Sequence, residues 1–270
     1  HWRNHIRESK KLNINELKSL TESLLETFLN AGQKAIELRN KGLKTTFKSD
    51  NSPVTNGDLE VDRLLKEKII QTTPNIPIIS EETVNLNKNN EYKNFWLIDP
   101  IDGTKQYIKN NDEFTLNASL IIDLEPAIGV IYAPAKKRLF YSYGNGYSFE
   151  IFEQKKIHLE CKKKTKLGEV HAESHSAIPS NEVLKIHKKF NVKKFVSMSS
   201  SYKFCVIATG EFDLYAAKAR AYEWDIAAGH TIVKHAGGIV TTLDKKDFKF
   251  GQAYYKNLVF LVRRSENLER

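Results

Sequence analysis

Phe95-Trp96-Leu97-Ile98-Asp99-Pro100-Ile101-Asp102-Gly103-Thr104 is the stretch on which the reading of the whole chain turns. Phe95 to Ile98 are four bulky residues suited to a packed, pleated surface, so they predict a buried strand. Pro100 cannot donate to a ladder and Gly103 punctuates a turn, which ends the predicted strand at Asp99. Two carboxylates, Asp99 and Asp102, and the Thr104 hydroxyl are therefore delivered at the end of a rigid element. Polar groups placed that firmly serve no packing purpose and suit a hard-cation site.

Upstream, Ile76 to Ile79 predicts a short strand running into Ser80-Glu81-Glu82, and Asn85 to Asn94 a polar loop. Asn13, with Glu16 three residues on, opens a long amphipathic helix whose face is Leu17, Leu20, Leu24, Phe28, Ala31 and Ala35 and which ends near Asn40-Lys41-Gly42. Lys44 to Thr55 is polar, carries Asp50-Asn51-Ser52-Pro53 turn chemistry and is expected to be a flexible loop. A second helix is expected from Asp58, with Val61, Leu64, Leu65 and Ile69 buried, to about Thr72-Thr73-Pro74. Downstream, Thr115 to Ile122 alternates as a strand, and Ile128 to Tyr132 and Leu139 to Ser142 read as a meander around Ala133-Pro134. The second half alternates strand-like pieces (Val170 to His175, Lys194 to Met198, Leu214 to Ala217, Ile239 to Thr242, Leu258 to Val262) with helical ones (Asn181 to Lys189, Tyr202 to Thr209, Ile226 to His235). That pattern is an α/β layer.

The chain has 270 residues, 40% hydrophobic and 28% charged, which allows one large domain or two packed halves. No apolar run approaches the roughly 20 residues needed to span a bilayer. His1 to Lys11 is polar and basic with no signal-peptide pattern, the first residue is not Met, and these residues are set aside from the fold. Cys161 and Cys205 are far apart, without metal-ligand spacing, so a reduced, cytoplasmic setting is expected, which leaves open a peripheral membrane association. The net charge of +9 would suit a nucleic-acid partner or a small anionic substrate, but no basic-aromatic platform accompanies it and most lysines read as a solvated surface.

The acids carry the chemical signal. Glu81 and Glu82 follow one strand, Asp99 and Asp102 another, and Asp58 and Asp225 open helices. Strand ends and helix N-termini cluster along one edge of a sheet, so these carboxylates can converge. Singly, Asp58 and Asp225 read as helix caps, Asp99 and Asp102 as turn stabilisers, Glu81 and Glu82 as a solvated loop. Together they would repel one another unless cations intervene, and Mg²⁺ takes such oxygen ligands while leaving room for water and phosphate.

Asp99-Pro100-Ile101-Asp102-Gly103-Thr104 resembles the metal-binding signature of the inositol monophosphatase superfamily, Mg²⁺-dependent and lithium-sensitive phosphomonoesterases. Ser52-Pro53-Val54-Thr55 with Asp58, Ser80-Glu81-Glu82, and Trp224-Asp225-Ile226-Ala227-Ala228-Gly229 with Ala236-Gly237-Gly238 resemble its other segments, in order. Lys105-Gln106-Tyr107-Ile108 and Ser199-Ser200-Ser201-Tyr202-Lys203-Phe204-Cys205 are similar to segments of the bacterial CysQ-type 3'(2'),5'-bisphosphate nucleotidase branch, with Ser199 where that branch has Gly, and Ser174-His175-Ser176 resembles its Ser-Arg/His-Ser turn more loosely.

The resemblance implies an α/β (α+β layered) fold, a sandwich of alternating helix and sheet layers. Residues 12–270 would be one catalytic domain in two halves, 12–155 with the main metal motifs and 156–270 with Asp225 and the substrate pocket, the boundary falling near Glu150 to Lys166. It implies two or three Mg²⁺ ions held by Glu81, Asp99, Asp102, Asp225 and the Ile101 carbonyl, with Asp99 bridging. Thr104, held by Asp58, would orient the attacking water, with Glu82 in support; Gly103, Thr104, Lys105, Ser199, Lys203 and Asp225 would contact the substrate, and His175 and Tyr222 could line a nucleoside pocket. The implied reaction removes the 3'-phosphate of adenosine 3',5'-bisphosphate, with no specific nucleic acid bound, by a monomer or homodimer. Other readings are an inositol monophosphatase or sugar (bis)phosphatase, and a basic nucleic-acid-binding module on a phosphatase-like fold.

Overall fold

The first helix, α1 (Ile14–Lys41), starts where Asn13 caps it: the Asn13 side chain accepts from the Glu16 N–H, and Gly42 at φ 96° turns the chain away at the other end. The second, α2 (Asn56–Thr72), opens two residues before the expected start, because Thr55 is its cap. The Thr55 hydroxyl accepts from the N–H groups of Gly57 and Asp58, and the Asp58 carboxylate accepts from the Thr55 N–H in return. The polar segment between these helices is not a loop. β1 (Thr45–Phe47) and β2 (Pro53–Thr55) pair antiparallel, closed by a turn in which Asn51 takes φ 65°. The computed structural model describes residues 11–85, 91–163, 170–218, 222–247, 249–252, 255, 259–266 and 268. The basic start up to Lys10, residues 86–90 of the polar loop, Lys164 to Lys166 at the expected boundary, and Leu258 lie outside them.

A seven-stranded sheet runs in chain order: β3 (Ile78–Ser80), β4 (Phe95–Asp102), β5 (Thr115–Ile122), β6 (Glu125–Ala133), β7 (Arg138–Gly144), β8 (Tyr147–Phe152) and β9 (Lys155–His158). β3 is parallel to β4 and the remaining pairs are antiparallel. β4 does not stop at Asp99. Asp99 pairs with Asn117 and Asp102 with Thr115, so β4 uses one residue more than β5 over this interval. This bulge accommodates Pro100, which has no N–H for the ladder, and the strand resumes at Asp102. Both aspartates thus remain on the sheet rather than in a free turn. β8 and β9 have no counterpart in the sequence reading; β9 is exposed throughout and lacks an alternating apolar signal.

A short helix, α3 (Thr104–Ile108), follows β4. The second sheet holds β10 (Val170–Ser174), β11 (Val192–Ser197), β12 (Leu214–Lys218), β13 (Ile239–Thr241) and β14 (Val259–Arg263) in the order β11-β10-β12-β14-β13. Its helices are α4 (Asn181–Lys189), α5 (Tyr202–Ala208) and α6 (Glu223–His235).

Strand alternation sorts these elements into layers. Trp96 and Ile98 of β4 point into a core shared with Leu24, Phe28 and Leu65 of α1 and α2. Phe95 and Leu97 point the other way, into a core shared with Phe204 of α5, Ile232 of α6 and Val262 of β14. On the far face of the second sheet, Ala172, Leu214 and Leu261 pack on Val183 of α4. The order is helix, sheet, helix, sheet, helix, the alternating sandwich expected from the sequence. The central helices approach closely at Gly229, where a Cβ would stand 2.3 Å from the Phe204 ring. α6 belongs to the second half by sequence, yet it packs on β4, β5 and β6. Among the described residues no helix is long and apolar enough to cross a membrane.

Candidate active site

β3 and β4 end, and α6 begins, at one edge of the first sheet. The parallel register sets Ser80 opposite Ile98, and the Glu81 N–H continues the ladder to the Ile98 carbonyl. That register brings Glu81 beside Asp99. α6 presents Asp225 from its first turn, where the Asp225 carboxylate accepts from the Tyr222 N–H at 2.8 Å. Glu81, Asp99 and Asp225 each offer an oxygen, all within 4.8 Å of one another. No donor reaches either oxygen of Asp99 among the described residues, although both are buried.

An acid cluster this dense resists ionisation. Burial, then the carboxylates of Glu81, Asp102 and Asp225, hold the Asp99 carboxyl well above the usual range. Asp225 is raised likewise by burial, Asp102 and Glu81. Burial and then Glu81 push Glu82 up to about 7. Lys48, from the β1–β2 turn, supplies part of the missing charge, with Nζ 3.1 Å from Glu82 and 3.9 Å from Glu81. A buried carboxylate without donors, beside two more, fits a divalent cation: oxygen ligands, like charges, and no other neutralising partner for Asp99 among the described residues.

Asp102 stands next to this trio without joining it. Its carboxylate accepts from the Ser201 N–H at 2.7 Å; burial raises it to about 6, with Lys203 opposing. Gly103 takes φ 84°, and a Cβ there would meet the Glu113 carbonyl at 2.8 Å, so the turn that starts α3 suits glycine. Thr104, the first residue of α3, directs its hydroxyl to Asp58 Oδ1 at 2.9 Å and to the Ile101 carbonyl at 3.2 Å. Asp58 is thus both the capping partner of Thr55 and the acceptor for Thr104. Thr55, not Asp58, is the capping residue; Asp58 completes the capping box with one oxygen and accepts from Thr104 with the other.

These groups line a cavity of about 1080 Å³ between the two sheets. Glu81, Glu82, Asp99, Ile101, Asp102, Gly103, Thr104, Lys105, Ser199, Lys203 and Asp225 all line it, and Asp58 touches it only through Thr104. His175 lines it too; Tyr222 does not, and its ring instead stacks on Trp224 at 4.5 Å. The opposite wall comes from the second half. Ser199 N–H donates to Glu113 at 2.7 Å, the Ser201 hydroxyl lies 2.7 Å from Thr115 Oγ1, and Lys203 Nζ sits 5.1 Å from the Tyr215 ring centroid. Lys48, Glu113, Asn117 and Tyr215 were not singled out from the sequence. Each stands alone in its segment without a motif, and only long-range packing brings it here.

The sequence matches the model of the Inositol monophosphatase family over residues 16–269. It is 36% identical over 234 residues to 3'(2'),5'-bisphosphate nucleotidase CysQ of Buchnera aphidicola subsp. Acyrthosiphon pisum, covering 83% of this chain and 85% of that protein. Identity to the CysQ nucleotidase of Salmonella typhimurium is 32% over 225 residues, 82% and 89% of the two chains. The crystal structure of CysQ from Bacteroides thetaiotaomicron superposes with a TM-score of 0.76 at 28% identity, over 94% of this chain and 100% of that one. The four motifs, the layered sandwich and the acid edge agree with these matches: the chain belongs to the inositol monophosphatase family.

Proposed function

We propose that this protein is a Mg²⁺-dependent 3'(2'),5'-bisphosphate nucleotidase that hydrolyses the 3'-phosphate of adenosine 3',5'-bisphosphate to AMP and phosphate. One observation carries the reading. A single cavity has an acid cluster centred on Asp99, which has no donor among the described residues, at one wall and a buried lysine, Lys203, at the other, as a substrate with two phosphates requires. The CysQ name of the relatives supports the same substrate.

Glu81, Asp99, Asp102, Asp225 and the Ile101 carbonyl would hold two or three Mg²⁺ ions. When bound, such ions neutralise phosphate charge and acidify a water. The protein's own groups then act on that water. Thr104 donates to Asp58, which leaves its oxygen lone pairs free to accept from the water and orient it toward phosphorus. The water's proton passes to Thr104 Oγ1 as the Thr104 proton moves to Asp58 Oδ1. Glu82, ion-paired with Lys48, supports the water's other side. The N–H groups of Gly103 and Thr104 would donate to phosphate oxygens, with Lys105 nearby. Lys203 and Ser199 would hold the second phosphate, and Asp225 would meet the ribose. Residues 12–270 act in this reading as one catalytic domain. Both cysteines are free and buried, in keeping with a reducing cytoplasm.

The test is turnover with Mg²⁺ on adenosine 3',5'-bisphosphate and on inositol 1-phosphate, each with and without lithium. The expected result is preference for the bisphosphate and inhibition by lithium. Preference for the inositol ester would overturn the substrate assignment.

A further inference from the structure

One buried carboxyl has no part in the chemistry above. Glu173 on β10 is fully buried, and neither of its oxygens has a hydrogen-bond partner among the described residues. Ala172 beside it packs toward α4, so Glu173 faces the other way, into the layer of α5 and α6. It is level with Tyr215 on the adjoining β12, which makes the two side chains neighbours on that face. Lys203, itself buried on α5, rests its Nζ 5.1 Å from the centroid of the same Tyr215 ring. Among the charges that act on Glu173, Lys203 is the cation, while Glu211 and Glu113 are like-signed. Lys203 in turn feels Asp102, Glu173, Glu113 and Asp225.

A buried carboxylate without donors is costly, and so is a buried ammonium; gathered about the same Tyr215, without a direct hydrogen bond, their opposite charges favour one another. The acids at the metal wall cannot do this alone in the working enzyme, since divalent cations would cancel their field on Lys203. Glu113 shares its charge with the Ser199 N–H on one oxygen, whereas neither oxygen of Glu173 has a donor among the described residues. Glu173 remains.

The geometry points to Glu173 as a positioning residue that holds the Lys203 ammonium on the Tyr215 ring, presented to the second phosphate of the substrate. This rests on the assignment of Lys203 to that phosphate.

The experiment uses the full chain with adenosine 3',5'-bisphosphate and adenosine 3'-monophosphate. Glu173→Gln keeps the shape and removes the charge; it raises KM for the bisphosphate about tenfold, while kcat and the monophosphate KM stay within about twofold. Lys203→Met raises the same KM at least as far, and adding Glu173→Gln to it brings no further rise, a non-additive cycle. Thermal unfolding of the metal-free protein gives a readout apart from activity. Lys203→Met alone strands the Glu173 carboxyl and melts below the double variant. Additive effects on KM, a double variant that melts lower than Lys203→Met, or a loss of kcat shared equally by both substrates would each overturn the inference. If Lys203→Met raises KM and Glu173→Gln does not, the Glu173 assignment alone falls. If Lys203→Met leaves KM unchanged, the assignment of Lys203 falls and takes this inference with it.

Discussion

The two walls of the cavity are built by opposite means. At the acid wall, one bulged strand and the end of its parallel neighbour place Glu81, Asp99, Asp102 and Thr104 within 24 positions of sequence, fixed by ladder bonds and one tight turn. At the lysine wall, Glu173, Ser199 with Lys203, and Tyr215 come from three separate segments, and their placement depends on α5 and the second sheet as bodies. In the proposed reaction the acid wall carries the chemistry and the lysine wall the choice of substrate. A compact, backbone-held wall tolerates no change in reach. A wall assembled by packing can change its residues one at a time. Hydrogen bonds join them, from the N–H groups of Ser199 and Ser201 to Glu113 and Asp102 and between the Ser201 hydroxyl and both Thr115 and Asn117.

The contrast breaks most sharply at Asp99. Asp99→Asn is expected to lower kcat/KM by roughly 10³-fold or more, as loss of a central metal ligand does. In chelator the same variant melts higher than the native protein, because one of the mutually repelling carboxylates is gone. Full activity in Asp99→Asn would end the metal reading. Thr104→Ala comes next, with kcat lower by about 10²- to 10³-fold, typical of a lost proton-transfer group. Thr55→Ala is its control. It removes the α2 cap at about 1 kcal/mol and, since Asp58 still accepts from Thr104, should leave most of kcat. Equal kcat losses in both would show that Asp58 acts only through the cap.

The same contrast explains what could be read from the chain. The acid wall was legible because Asp99-Pro100-Ile101-Asp102-Gly103-Thr104 compresses strand, bulge, turn and helix start into six residues. Even there the strand end was misplaced: Pro100 forbids a ladder bond, and a bulge satisfies that rule as well as a strand end does. α1 was legible from Asn13 and Gly42, whose side-chain and backbone chemistry is local. β1 and β2 were not, since three-residue strands around a turn show no alternating apolar signal, and the ion pair of Lys48 with Glu82 joins residues more than thirty positions apart. Tyr222, a lone tyrosine for which a packing role weighs more than a pocket role, stacks on its neighbour Trp224. Glu173 shows no signal in sequence at all; only burial marks it.

α6 joins the walls, with Asp225 at its start and buried histidines further along. Burial, then Lys234 and His235, lower His230 to about 3; burial and then Lys234 lower His235 to about 4. Both hold as neutral rings in the folded protein while the unfolded chain titrates at the ordinary 6.5. As pH falls below that value the unfolded state takes up protons first, so stability is whole above it and drains toward pH 4. His235 accounts for about 3 kcal/mol of this loss. Urea unfolding at pH 7 and pH 5 should show a smaller difference in His235→Gln than in the native protein, even after loss of the 3.0 Å contact with Ser142. An unchanged difference would place the acid sensitivity elsewhere.

The smallest effect is expected at Lys48, and it tests whether the acid wall is complete without cations. Burial works against the Lys48 charge, but Glu81 and Glu82 outweigh it and its pKa is raised. The pair is partly exposed, so Lys48→Met should cost the chelated protein only about 0.5–1 kcal/mol. The same substitution removes a cation that competes with Mg²⁺ for Glu81 and Glu82. The Mg²⁺ concentration for half-maximal activity should therefore fall, by about two- to fivefold if the competing interaction is worth that free energy. A rise instead would mean that Lys48 belongs to the loaded site, and that the acid wall, like the lysine wall, needs a residue brought from a distance to finish it.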